Sequence, residues 1–314
     1  MILSANQVLE YGLDYLHLKS DRWSNDRKIL EFHAHYGSAP LDLADQWYDL
    51  IQKENIPDEL QLTMKEKSEK GLKRYFVAHF FLWAYPKNAK MLASRFRICH
   101  HYCTGKELWK WVKRIAALKS KKIVWDENIE DMEIFLISVD GTDFKVNETR
   151  HPTLPRDNSM CSHKMKHAAA KYEVALSVHK PKCVHIAGPF KGGVHDLEMF
   201  RRGGLKAKME SLKSKLRIAR KRFKLCSIAD RGYKSKDEAE RDLFSLPNHY
   251  DSKELSNFKS RARLRQETFN ARLKCFNALS SPFRHGFDTH KHVFEAVVVT
   301  VQYQMDNGSP IFAV

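Results

Sequence analysis

Two short apolar runs in this chain each stop at an aspartate with a glycine close behind it. Ile134-Phe-Leu-Ile-Ser-Val139 leads into Asp140-Gly141-Thr142, and Leu225-Cys-Ser-Ile-Ala229 leads into Asp230-Arg231-Gly232-Tyr233. Runs of this kind predict buried strands, and a carboxylate at the tip of a buried strand is costly unless something binds it. A third acid, Glu267, lies inside a long helical pattern. Brought together, two strand-end aspartates and a helix glutamate supply hard oxygen ligands for a pair of Mg²⁺ ions. That arrangement clamps the attacking and leaving oxygens in phosphodiester displacement. The plainer reading makes both aspartates exposed turn formers, since Asp-Gly and Asp-x-Gly are common in turns, and makes Glu267 a solvated side chain.

The charge balance bears on the partner. With 54 Lys+Arg against 38 Asp+Glu the formal charge is +16, a surplus that favours polyanions through counterion release. Nucleic acid is the leading candidate. The 314 residues, 43% hydrophobic, suffice for one large domain and a smaller one. Six cysteines (Cys99, Cys103, Cys161, Cys183, Cys226, Cys275) follow no disulfide framework spacing. With no leader-like segment expected, a reducing cytosol or nucleus follows. The most apolar long stretch, Tyr75 to Tyr85, is about half the length a bilayer span requires, so no membrane segment is expected. Cys99-His100-His101-Tyr-Cys103 invites a zinc reading, but no second pair follows at finger distance.

Residues 1–125 read as a helical domain, with aromatic and aliphatic residues at helical spacing between turn signals. Within it, residues 88–96 have helical composition, and Thr104-x-x-Glu107 is a capping-box signature opening a second helix. In that second helix Leu108, Trp111, Val112 and Ile115 take one face and Lys106, Lys110 and Lys113 the other. Such a pair predicts a helix-turn-helix that reads duplex DNA in the major groove; an ordinary solvated helix face is the alternative. Residues 126–314 read as the second domain. Strands are expected at 134–139, 172–178, 183–186 and 223–229, the second and third joined as a hairpin across Lys180-Pro181-Lys182. Gly188 to Gly193 reads as a break, and His195-Asp196 as the start of a helix, with Asp196 an N-cap or first-turn anion. A helix over 252–278 carries Glu267, and Val297 to Val301 is read as part of a terminal helix. The block from Arg201 to Lys224 holds 11 Lys/Arg and one acid, Glu210, a track suited to phosphate backbone. This order of strand, hairpin, helix, strand and helices matches a ribonuclease-H-like α/β domain.

At these residues the sequence resembles the DDE-superfamily endonucleases of eukaryotic transposons, the PIF/Harbinger-like group related to IS5-type transposases. The resemblance rests on several ordered segments: Val139-Asp140-Gly-Thr142, Ser162-His163-Lys164, Lys171-Tyr-Glu173, Gly193-Val-His-Asp196, Ala229-Asp-Arg-Gly-Tyr233, Arg265-Gln-Glu-Thr-Phe-Asn270 and Phe283-Arg-His-Gly286. It covers 138–314 and, more weakly, the helix-turn-helix stretch. One departure is Gly192-Gly193-Val-His-Asp196, where the group commonly carries Gly-Ser-x-His-Asp-Ser. The resemblance implies a catalytic, metal-binding triad of Asp140, Asp230 and Glu267 with two Mg²⁺ or Mn²⁺ ions. It also implies phosphodiester hydrolysis and strand transfer on double-stranded DNA, both transposon ends and target, and nuclear localisation. A homo-oligomer and an accessory DNA-binding protein are the further partners it suggests. Arg263 and Lys274 stand one and two helical turns from Glu267, placed to hold a phosphate. The competing reading is a domesticated, catalytically inactive descendant kept for DNA binding. An RNA-cleaving relative is disfavoured by the N-terminal reader.

Overall fold

A computed structural model describes residues 1–18, 20–125, 135–147, 157–218 and 226–314. By its internal contacts the chain forms two compact units. One comprises Met1–Lys122, Arg272–Phe283 and Asp288–Pro310; the other comprises Ile123–Ala271, Arg284–Phe287 and Ile311–Val314.

The first unit is helical: α1 (Ala5–Tyr15), α2 (Asn25–Tyr36), α3 (Pro40–Ile51), α4 (Glu69–Ala84), α5 (Ala89–Phe96), α6 (His101–Thr104), α7 (Lys106–Ala117) and α8 (Lys119–Lys122). The aromatic residues spaced along these helices form its core, with Trp47, Tyr75, Phe76 and Trp111 fully buried. Two of their polar atoms are satisfied internally, while Trp111 Nε1 has no hydrogen-bond partner among the described residues. Tyr75 donates to Gln46 Oε1 at 2.9 Å, and Trp47 donates to the Met1 carbonyl at 2.9 Å.

The helix expected after Thr104-x-x-Glu107 is present as α7, but Gly105 is its N-cap and no side chain caps it. Glu107 instead pairs with Arg74 at 3.2 Å. Arg114, on the same helix, is fully buried. Its guanidinium makes a two-pronged contact with Glu66 at 3.0 and 2.9 Å and donates to the carbonyls of Leu60 and Gln61. These bonds hold the Glu66 carboxyl far below the usual range despite its burial. Lys110 also pairs with Glu66, at 3.0 Å. Of the three expected stripe residues, only Lys106 and Lys113 are exposed.

The C-terminal residues do not all join the sheet. Helices α13 (Asn277–Ser280) and α14 (Phe287–Asp306) lie almost wholly within the helical unit's boundaries. Val293 to Tyr303 is buried throughout, as a valine-rich helix hydrophobic on all sides must be. Within that unit Tyr303 donates to Asp49 at 2.6 Å and Gln46 to Thr300 at 3.3 Å. The expected terminal helix is therefore present, but it serves the helical core and not the 126–314 unit read from sequence.

The second unit is mixed α/β. Its strands are β1 (Phe135–Lys145), β2 (Cys161–Ser162), β3 (His167–Ser177), β4 (Cys183–Lys191), β5 (Cys226–Ile228) and β6 (Phe244–Ser245), in the order β2-β3-β1-β5-β6 with β4 also on β3. The β1–β3 and β3–β4 pairs are antiparallel; β1–β5 and β5–β6 are parallel. Helices α9 (Asp196–Arg202) and α10 (Leu205–Ile218) come between β4 and β5, and α11 (Glu238–Arg241) precedes β6. Phe200, Leu205, Met209 and Leu212 from α9 and α10 pack with Ile137, Val139 and Ala175 of the sheet. The long helix α12 (Lys253–Lys274) places Ala262 against Val178 and Ile228. Three strands run further than expected, β3 by beginning at His167 and not at 172. β1 continues through Asp140-Gly141 to Lys145, and β4 continues through Gly188-Pro189 to Lys191.

Candidate active site

Strand register brings the first two carboxylates together. Parallel β1 and β5 pair Ser138 with Ile228, so Asp140 and Asp230, each two residues further on, sit side by side. Neighbouring strands lie about 4.8 Å apart. Asp140 is not at a strand tip, as expected, but in the middle of β1 opposite Val174 of β3. Asp230 does follow its strand. It caps a single 3₁₀ turn, Arg231–Tyr233, accepting from the Gly232 amide at 2.8 Å.

Side chains alternate across a strand, and the contacts of β1 follow that alternation. On one side Ser138 and Asp140 meet α12. Gln266, 2% exposed, accepts from Ser138 Oγ at 3.1 Å and donates to the Val174 carbonyl at 3.1 Å. One helical turn later Asn270 donates through Nδ2 to Asp140 Oδ2 at 3.1 Å. Arg265, also buried, donates to the Val178 carbonyl at 2.7 Å and to that of Lys180, tying α12 to the end of β3.

On the other side Gly141 leaves a gap, and Asp196 fills it. A Cβ on Gly141 would stand 2.6 Å from Asp196 Oδ1, and one on Gly232 would stand 2.3 Å from Asp196 Oδ2 and 2.9 Å from Asp230 Oδ1. Neither glycine has a positive φ, so space and not backbone conformation demands glycine at both. Asp196 is the first residue of α9, as expected, with His195 as N-cap. Its carboxylate does more than start a helix: it pairs with Lys171 of β3 at 2.7 Å, and Lys171 also donates to the Val194 carbonyl at 3.0 Å.

Electrostatics agree with this geometry. Burial, followed by the nearby charges of Asp230 and Asp196, pushes the Asp140 carboxyl up to about 6, while Lys164 pulls the other way. Lys164 is exposed on the turn between β2 and β3. On the α9 side, fully buried Glu173 is raised to about 8, mainly by desolvation and further by Asp196. Tyr233 donates to it at 3.3 Å, and His185 Nε2 stands 3.8 Å away. His185 is itself lowered to about 4 by burial and by Lys208.

The remaining expected site residues fall elsewhere. Glu267 is exposed on α12, three residues before Asn270, and makes no hydrogen bond or ion pair with a described residue. Arg263 is exposed on the same helix, and Lys274, also exposed, ends it within the bounds of the helical unit. Among the described residues no group of three or more His, Cys, Asp or Glu is set to hold a metal ion. The basic block from Arg201 runs into residues 219–225, which lie outside the described residues. Among the described residues no helix is long and apolar enough to cross a membrane.

Sequence reasoning missed Asn270 and Gln266. Their signal was available: two amides at i and i+4 on the buried side of a helix that also carries Ala262, Phe269 and Leu273. Polar side chains on such a face need buried partners.

The family model described as DDE superfamily endonuclease matches residues 139–302, more than half of the chain. The chain belongs to the DDE superfamily endonucleases. The match opens at the strand segment carrying Asp140 and closes inside α14. No curated protein and no solved structure matches. Membership implies a nuclease acting on DNA, in a superfamily that generally uses divalent metals. The donor set suits such a cation: carboxylate oxygens are hard ligands, and the burial and, after it, the like charges that raise Asp140 are of the kind a cation offsets.

Proposed function

We propose that this endonuclease is a transposase of the PIF/Harbinger-like, IS5-related group, with a ribonuclease-H-like catalytic unit. It would hydrolyse DNA phosphodiesters and transfer strands at Asp140, Asp230 and Glu267 with two Mg²⁺ or Mn²⁺ ions. The observation that supports the reading is the nearness of Asp140 to Asp230, whose charge acts on it, two residues beyond the last parallel pair, Ser138 with Ile228, inside the family match. Bound there, divalent cations supply Lewis-acid activation of water and stabilisation of the departing 3′ oxygen.

The chain's own residues hold and shape that centre. Asp140 and Asp230 present carboxylates from adjacent strands; Asn270 and the Gly232 amide fix one oxygen of each. Gln266 registers α12 over the sheet, and Glu267 follows it directly in the chain. Lys164, whose charge acts on Asp140, would attract the scissile phosphate, and Arg263, exposed on α12, is the second candidate for that contact. Lys106 and Lys113, with Lys274, are the backbone-binding candidates of the helical unit, whose α5–α7 segment we read as a helix-turn-helix for double-stranded DNA. Lys110 contributes less, being held by Glu66. Work on transposon ends and target in the nucleus, as a homo-oligomer with an accessory DNA-binding protein, completes the proposal.

The exposure of Glu267 favours a second reading, a domesticated protein that binds DNA without cutting it. One assay separates the two: nicking of supercoiled DNA in Mg²⁺ or Mn²⁺, with binding measured in parallel. An active enzyme loses more than about a hundredfold in rate with Asp140→Asn, Asp230→Asn or Glu267→Gln, folding being checked by circular dichroism. Nicking that survives one substitution removes that residue from the triad. A wild type that binds duplex but never nicks it leaves the binding protein.

A further inference from the structure

The α12 residue that meets Asp140 is Asn270, not Glu267. Asn270 is 7% exposed, and its side chain has one partner among the described residues, the Asp140 oxygen 3.1 Å from Nδ2. The amide orientation follows from chemistry, because a carboxylate oxygen accepts and must therefore face the NH₂ group. That leaves Oδ1 buried beside the acidic centre with no hydrogen-bond partner. A buried amide oxygen left unpaired is destabilising, so its persistence next to clustered carboxylates calls for a ligand that donates.

Packing gives Asn270 little freedom to turn away. Gln266, one turn earlier, is bonded to residues on both sides of the Asp140 position, Ser138 on the same strand and Val174 across from it. Arg265 ties the helix to Val178 and Lys180, and Phe269 beside Asn270 is fully buried. The helix is thus bolted in register, with the Asn270 amide aimed at Asp140 while Glu267 points outward.

We propose that Asn270 is a positioning residue of the metal centre. Its Nδ2–H holds one Asp140 oxygen, so that the other is presented to a divalent cation, and its Oδ1 accepts a hydrogen from that cation's water shell. The inference rests on the metal-dependent reading above and deepens it. Outer-shell partners of this kind commonly contribute ten- to a hundredfold in metal affinity.

Calorimetric titration of Mn²⁺ into the full chain tests it, together with melting in EDTA and in Mn²⁺. Asn270→Ala should bind Mn²⁺ at least about tenfold more weakly than wild type. Asn270→Asp keeps the size but sets a fourth acid against Asp140. It should melt below wild type in EDTA and gain more from Mn²⁺ than wild type does. Wild-type Mn²⁺ affinity in Asn270→Ala would overturn the proposal, because a merely structural amide lowers stability without moving a metal constant. So would an Asn270→Asp protein that gains no more from Mn²⁺ than wild type, and this variant decides the matter should the alanine protein not fold. A wild type that binds no Mn²⁺ would overturn the metal reading and this one together, which separates the two failures.

Discussion

The two faces of β1 solve opposite problems with adjacent residues. On the α12 face a charged side chain is present and must be held: Asp140 is fixed by Asn270, and the neighbouring backbone is fixed by Gln266. On the α9 face the strand's own residue contributes nothing, and Gly141 leaves room for Asp196, which Lys171 holds. One face supplies a carboxylate from the strand and neutral amides from a helix. The other supplies a carboxylate from a helix and a cation from the neighbouring strand. Like charges are thus packed from both sides of one sheet, and the glycines after Asp140 and Asp230 are the windows through which they approach.

The strongest way to break this comparison is to close a window. Gly232→Ala puts a methyl group where two carboxylate oxygens already stand within 3 Å, so Asp196 or Asp230 must move. A displacement of about 1 Å at a reacting centre costs on the order of a hundredfold in rate. We expect that loss in nicking with a much smaller change in melting temperature. Gly141→Ala, whose methyl group meets Asp196, Met199 and Lys171 only at their side-chain ends, should lose less. Equal activity in Gly232→Ala and wild type would show that Asp196 is a bystander.

Removing the charge without closing the window should have an intermediate effect. Asp196→Asn leaves Lys171 without its carboxylate partner. The pair is mostly buried, with side chains 14% and 21% exposed, so we expect a loss of roughly 2 kcal/mol in urea unfolding. Lys171→Met should cost a similar amount, and the double variant less than the sum of the two. Additive losses would mean that the two side chains act independently.

The effect that depends on pH belongs to Glu173, deeper on the α9 face. Its carboxyl is raised to about 8, so the folded protein retains a proton that the unfolded chain releases near the ordinary glutamate value. A folded pKa above the unfolded one contributes stability at low pH that is lost as pH rises between about 4.5 and about 8. The slope is at most about 1.4 kcal/mol per pH unit. Glu173→Gln carries no proton to lose, so its urea midpoint should fall less than the wild type's between pH 5 and pH 9. Parallel profiles for the two proteins would contradict a protonated Glu173.

Much of the fold was legible because local pattern and tertiary outcome agree. The run before Asp140, the hairpin around Pro181 and the helix beginning at Asp196 all follow from apolar periodicity and breakers. Where the two conflict, reading failed. Asp140-Gly141 is a turn dipeptide by itself, yet β1 runs straight through it because β3 pairs along residues 137–145. Gly188-Pro189 also reads as a break, but β4 keeps pairing with β3 out to Lys191. Lys110 reads as part of an exposed stripe and is instead held by Glu66 together with buried Arg114, since composition cannot say which side of a helix meets an acid far away in sequence.

Sequence alone determined the chemistry on offer: two strand-borne aspartates, an acid on a long helix, a basic excess and the order of elements linking them. Those are local properties, set by residue type and spacing. Tertiary structure decided which of these groups meet. It put Asp140 beside Asp230 through parallel strand register, brought in Asp196 through the two glycine windows, and turned Asn270 and not Glu267 toward Asp140. It also assigned α14 to the helical unit. Proximity between residues distant in the chain depends on register and helix rotation, where a shift of one residue exchanges the faces, and that information lies in the packing of the whole core.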